Sequence, residues 1–162
     1  MIPQVSLRPA TLDDAAMIFQ WRNIPEIVAL GASNRLVEWE EHQQWFREVL
    51  AGGHALHIIL CDGQPAGQVR FDRKDSDTAE VSIYLLPEYT GRGIGVTALT
   101  RACQQAFSTL AVMRIEARIR TDNPRSVAAF RKAGFTEQKG APLPDEIDLN
   151  RYFLERNTAS SD

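Results

Sequence analysis

Leu85-Leu86-Pro87-Glu88-Tyr89-Thr90-Gly91-Arg92-Gly93-Ile94-Gly95-Val96 is the stretch on which the fold turns. Before it, Ala79 to Leu86 reads as a strand closed by Pro87. After it, Val96, Leu99, Cys103, Ala106 and Leu110 recur at helical spacing, giving a helix to about Thr109. A strand, a glycine-rich turn and a helix start form a phosphate-binding arrangement. Glycine lets the backbone take positive φ and approach a bulky anion. The first amides of a helix have no intrahelical partner, so they can point at phosphate oxygens. The helix dipole adds attraction for negative charge.

A plain tight turn would carry the same glycines, so the surroundings must separate the readings. A Walker A loop needs Gly-Lys-Ser/Thr, which is absent here. A Rossmann fingerprint lies by the first strand of a βαβ unit. Here the turn follows the fourth strand, with hairpins before it. Val5 to Arg8 reads as the first strand, ended by Pro9. Thr11 reads as a helix N-cap with Asp14 three residues on, and Pro25 disfavours continuation of that helix. A second helix covers Trp39 to Leu50, with Gly52-Gly53 ending it. Ala55 to Cys61 and Gln64 to Arg73 flank the hairpin signal Asp62-Gly63. Downstream, Met113 to Ile119 is a strand. Asn123-Pro124 opens a helix with a capping side chain and a proline at its first position, and Gly134 ends it. Phe135 to Lys139 and Asp148 to Leu154 form a final antiparallel pair around Pro142 to Pro144.

Composition narrows the function class. The 162 residues fit one domain, taken as residues 1–156 with 157–162 as a frayed tail. The net charge of −3 argues against non-specific binding to nucleic acid. No run approaches the roughly 20 apolar residues of a membrane helix, and MIPQVSLRPA does not read as a signal peptide. Cys61 and Cys103 are isolated in apolar patterns and read as small buried residues in a reducing, cytoplasmic setting. His54 and His57 fall on opposite strand faces, which argues against a shared metal site, so no metal is expected.

With LLPEYTGRGIGVTAL (Leu85 to Leu99) and, downstream, DNPRSVAAFRKAGF (Asp122 to Phe135), the sequence resembles the GCN5-related N-acetyltransferase (GNAT) superfamily. The resemblance implies an α/β GNAT fold: one mixed, mostly antiparallel sheet of about seven strands flanked by about four helices. It implies acetyl-CoA as cosubstrate. The backbone at Leu85 and Leu86 would pair with the pantetheine arm. The amides of Arg92, Gly93, Ile94, Gly95 and Val96 would hold the pyrophosphate, and Asn123, with Ser126 nearby, would contact the cofactor arm. Thr90 stands where the superfamily usually has Arg or Gln. Phe130 stands where a tyrosine often protonates the leaving thiolate, so Ser126, Tyr152 or water is left for that role, or the thiolate leaves without a donor.

Acetyl transfer by direct attack requires a neutral amine. A lysine-like amine costs about 4.6 kcal/mol to deprotonate at pH 7, an α-amine about 1 kcal/mol. Glu80 is the candidate base; by alternation it shares a face of the fourth strand with Ser82 and Tyr84. A surface cross-strand partner is its other reading.

For the acceptor, Trp21-Arg22-Asn23 and Glu40-Glu41-His42-Gln43-Gln44-Trp45-Phe46 are similar to stretches of acetyltransferases acting on nucleotide-linked amino sugars, pseudaminic acid pathway type. Trp21, Arg22, Asn23, His42 and Tyr84 are therefore candidate acceptor contacts: rings stack on a base or sugar, and Arg22 pairs with phosphate. Equally, Trp39, His42, Phe46 and Val49 share one helical stripe and read as core. Ribosomal-protein-type N-terminal acetylation and a non-catalytic acetyl-CoA-binding module are the rival functions. The oligomeric state stays open, a homodimer included.

Overall fold

The computed structural model describes residues 2–30, 35–52, 55–138 and 149–157. In chain order the elements are β1 (Val5–Pro9), α1 (Ala15–Arg22), α2 (Pro25–Val28), α3 (Trp39–Ala51), β2 (Ala55–Cys61), β3 (Gln64–Arg73), β4 (Thr78–Leu85), α4 (Ile94–Thr109), β5 (Arg114–Arg120), α5 (Pro124–Lys132), β6 (Thr136–Gln138) and β7 (Leu149–Glu155). The seven strands form one sheet in the order β1-β2-β3-β4-β5-β7-β6. Every neighbouring pair is antiparallel except β4 and β5.

Local chemistry explains most boundaries. Asp62 and Gly63 both have positive φ, as a two-residue hairpin turn of the favoured twist demands. The Thr11 amide donates to Asp14 Oδ2 at 2.8 Å at the entry to a short 3-10 turn that leads into α1. The Asn123 side chain caps α5 by accepting from the Ser126 amide at 3.2 Å, with Pro124 at the first helical position. Pro25 ends α1 as expected but also opens the four-residue α2, so five helices stand among the described residues where about four were expected. The helix stripe expected on α4 shifts: Ile94, Ala98, Leu99, Ala102, Cys103 and Ala106 are buried, whereas Val96 and Leu110 are half-buried. His54, Gly53, Pro142 to Pro144 and most of the tail lie outside the described residues.

Two cores flank the sheet. On one face α4 packs over Val69, Phe71, Ala79, Val81 and Ile115. On the other, Ile18 and Trp21 of α1 and Phe46 and Val49 of α3 pack over Leu56 and Ile58 of β2. The N-terminal helices therefore roof only part of that second face. Beside them, β3 presents Gln68, Arg70 and Asp72 in register with Tyr84, Ser82 and Glu80 of β4. This polar row explains why the face is left for a ligand rather than for a helix. Among the described residues, no helix is long and apolar enough to cross a membrane.

Candidate active site

The parallel pair β4–β5 joins only Thr78–Glu80 to Arg114–Glu116. Beyond Glu80 and Glu116 no ladder joins the two strands, and Val81 to Leu85 runs on with an edge unpaired on that side. An unpaired strand edge presents amides and carbonyls to whatever lies in the gap. The gap is the mouth of a cavity of about 1040 Å³, walled by β3, β4, β5, the glycine-rich turn and the start of α5.

The turn has the conformation its glycines suggest. Gly91 and Gly93 have φ of 74° and 78°. The first intrahelical acceptor bond of α4 runs from the Thr97 amide to the Gly93 carbonyl, so the amides of Ile94, Gly95 and Val96 are left without helical partners. Gly91, Gly93, Gly95 and Val96 all line the cavity. Ile94 is buried beneath, and only its backbone can serve the site. Arg92 is exposed, lies off the cavity wall and donates to the Glu88 carbonyl at 3.4 Å.

Leu85 lines the cavity. Leu86 does not: it is buried in the core under the N-terminal helices, and its amide already donates to the Ala66 carbonyl at 2.8 Å. Any strand-like pairing must therefore end at Leu85. Asn123, Ser126 and Phe130 line the opposite wall, Phe130 edge-on to Phe135 at 4.9 Å between ring centroids. Tyr152 is buried in the core and off the wall, which removes it as a proton donor.

Glu80 stands at the fork between the strands and lines the cavity. Its two oxygens are engaged by Lys74 Nζ at 2.9 Å and Arg118 Nε at 3.3 Å. Arg118 also approaches the buried Glu116 carboxylate at 3.6 Å, which Arg151 holds at 2.7 Å. The fork is thus an alternating network of charge.

The five acceptor candidates separate. Arg22 and Tyr84 line the cavity. Trp21 is buried with its ring edge-on to Tyr84, so it supports the wall without reaching the cavity. Asn23 is a clamp: Nδ2 donates to the Val37 carbonyl at 2.9 Å and Oδ1 accepts from the Val37 amide at 2.7 Å. His42 is 0% exposed, with both ring nitrogens bonded inside the protein, so direct contact with a substrate is ruled out. Trp45 is no free stacking platform either, because Arg22 sits over its ring at 4.1 Å and Arg70 at 5.2 Å.

Gln68, Arg70 and Arg35 were not singled out from sequence, yet all three line the cavity. The alternation Gln68-Arg70-Asp72 was the available signal. Gln68 Oε1 and Tyr84 Oη are both shut from solvent without a hydrogen-bond partner among the described residues. Burial pushes the Tyr84 phenol far above its usual 10, so it stays a neutral donor and acceptor. Buried polar atoms without partners are uncommon, and two side by side on a cavity wall suit a ligand's hydroxyl or amide. Around them the charge is positive. Arg22, Arg35 and Arg70 stand at one end and Arg118, Arg120, Arg125 and Lys132 at the other, against Glu80 as the one carboxylate on the wall among the described residues.

A family model described as Acetyltransferase (GNAT) domain matches residues 4–136. The spermidine N(1)-acetyltransferase of Vibrio cholerae is 31% identical over 157 residues, covering 94% of this chain and 90% of that protein. Acetyltransferase PseH of Campylobacter jejuni is 24% identical over 121 residues, 74% of this chain and 75% of its own. The crystal structure of spermidine N-acetyltransferase from Vibrio cholerae in complex with CoA and spermine matches with a TM-score of 0.83 at 20% identity, covering 94% of this chain and 95% of that one.

Proposed function

The chain belongs to the GNAT acetyltransferase family, and from that premise we propose that it transfers an acetyl group from acetyl-CoA to the primary amine of a small, anionic molecule, a nucleotide-linked amino sugar being the favoured class. One observation carries the donor half. β4 loses its β5 partner after Glu80 and ends, five residues later, at the turn that leads to the free amides at the start of α4. A pantetheine arm fits the open edge of Val81 to Leu85, and a pyrophosphate fits the amides from Arg92 to Val96. Asn123 and Ser126 face that arm from α5. Acetyl-CoA supplies the activated carbonyl and the thiolate leaving group.

The chain's own groups position the amine and move its proton. Glu80 takes that proton through water, exchanging one of its two cationic partners as it does so. Ser126, on the cavity wall, is the hydroxyl that would return a proton to the sulfur. Phe130, also on the wall, has no proton to give.

The sign of the cavity argues for the acceptor class. Arg35 and Arg70 are paired with Glu41 and Asp72, so the charge that bears on the acceptor is that of Arg22: a polyamine would meet a like charge there, whereas a phosphorylated amine would gain from it. The same reasoning disfavours a basic protein N-terminus. The free, buried thiols suit a reducing, cytoplasmic setting.

Thiol release from acetyl-CoA, measured with UDP-linked amino sugars, polyamines, aminoglycosides and peptides, tests the proposal. Turnover on the sugar nucleotides is expected. Cofactor binding without turnover on any amine would refute the enzyme reading, and turnover on polyamines alone would refute the anionic acceptor.

A further inference from the structure

Arg22 has an unusual partner for a guanidinium on a ligand cavity. Its Nη1 lies 3.0 Å from His42 Nδ1. A guanidinium has donors only, so Nδ1 must be the acceptor and carries no proton. The other ring nitrogen, Nε2, lies 2.7 Å from the Ala15 carbonyl, which only accepts, so Nε2 holds the hydrogen. The two contacts fix one neutral tautomer. Phe19 of α1 and Trp39, Trp45 and Phe46 of α3 pack around the ring, and Arg22 is the charged group that faces it among the described residues.

The choice of a neutral partner has a consequence for charge. Arg70, the neighbouring cation over Trp45, is matched by Asp72, with Nε at 3.0 Å from Oδ2. No carboxylate of the described residues pairs with Arg22, which stays protonated although burial lowers its pKa. His42 thus fixes the guanidinium in place and leaves its charge for a ligand.

We infer that His42 is a positioning residue: as the Nε2–H tautomer it holds Arg22 over Trp45 and presets it to take an anionic phosphate or carboxylate group of the acceptor. The inference rests on the acceptor reading above. It also builds in a pH dependence. Burial, first, and the charge of Arg22 keep the imidazole neutral to below its usual 6.5, against the opposing pull of the Ala15 carbonyl. As pH falls through that lowered value, Nδ1 gains a proton, donor faces donor, and Arg22 is released.

UDP is the probe, titrated calorimetrically into the full chain with CoA present. Loss of a charge-assisted bond predicts about a 10- to 100-fold weaker UDP affinity for Arg22→Gln and His42→Leu. His42→Asn, whose Oδ1 takes the place of Nδ1, should bind UDP nearly as the wild type does, with CoA affinity unchanged throughout. Wild-type UDP affinity should fall in acid more steeply than that of His42→Asn, which controls for the probe's own titration. Nitrogen-15 spectra should show protonated Nε2 and bare Nδ1 at neutral pH, a readout that stands even if His42→Leu fails to fold. Protonated Nδ1, equal affinities for His42→Leu and His42→Asn, or no UDP binding by the wild type would each overturn the inference. Amine acetylation without UDP binding would sink this role alone; UDP binding without acetylation of any amine would sink the enzyme reading alone.

Discussion

Substituting alanine at Gly93 and, separately, at Gly63 isolates what the glycine-rich turn contributes. The two positions are matched for strain: φ is 78° at Gly93 and 82° at Gly63, and an added Cβ at either meets nothing within 4 Å. The cost is therefore conformational. Left-handed backbone costs an alanine about 1–2 kcal/mol. Reduced freedom of the unfolded chain returns about 0.4–1 kcal/mol of this. Both variants should thus lose on the order of 1 kcal/mol, a fall in Tm of about 2–4 °C for a chain of this size. Their ligand responses should differ. Gly63 sits in the β2–β3 turn, off the cavity, so CoA affinity should not change. At Gly93 the free protein relieves strain by turning the amides away, and binding must restore them. A restoring cost of about 1–2 kcal/mol weakens CoA by about 5- to 30-fold. Thermal unfolding and calorimetry read both quantities. Equal CoA affinity for the wild type and Gly93→Ala, or equal weakening by both variants, would refute the assignment of these amides to phosphate.

Four further outcomes follow from the same geometry. Glu80→Gln should lower kcat by about 100-fold or more, most severely at the acid end where more amine is protonated; a pH–rate profile of unchanged shape refutes its role as base. Phe130→Tyr places a phenolic donor on the cavity wall and should raise kcat several-fold with CoA affinity unchanged; no gain in steady-state turnover means the sulfur needs no donor there. The Arg8 hydrogen bonds hold the Asp14 carboxyl below its usual 3.8, so their stabilisation is complete above that pH and lost as pH falls through the lower folded value. Because the Arg8 side chain is 38% exposed, Asp14→Asn should cost only about 1 kcal/mol at pH 7 and less at pH 2 in urea unfolding; an equal cost at both refutes the linkage. Burial pushes the Cys103 thiol up to about 12, so a disulfide reagent at pH 8 should leave it unmodified until the protein unfolds.

The donor half of the site was legible because its chemistry lies in the backbone. Glycines at 91 and 93, Asn123 before Pro124, and the closing Pro87 each prescribe a local conformation, and those conformations are what the proposed donor site would use. Even there the limit shows at Leu86. Its sequence position cannot reveal that the β3 carbonyl of Ala66 already takes its amide, because that is a cross-strand fact. The open edge of β4 was likewise beyond reach, since strand length says nothing of where a parallel partner diverges.

The acceptor half depends on side chains, and there three adjacent residues show why sequence reading stalls. Trp21, Arg22 and Asn23 sit on successive directions around the end of α1. The first goes to the core, the second to the cavity and the third to a clamp on Val37. A shared motif cannot say which of its members meets the ligand, because each direction is set by what packs beside α1: Tyr84 of β4, His42 of α3 and the segment at Val37. Helical periodicity did place His42 on the buried stripe of α3, and its ring is indeed enclosed. Periodicity could not supply its partner. Reading His42 as core or as site poses a false choice, since a ring buried on one side of Arg22 acts on the cavity through the guanidinium it holds. Arg70 and Gln68 complete the contrast: they were plain in the alternation of β3, but gained meaning only once the sheet showed that α1 and α3 roof only the neighbouring part of that face.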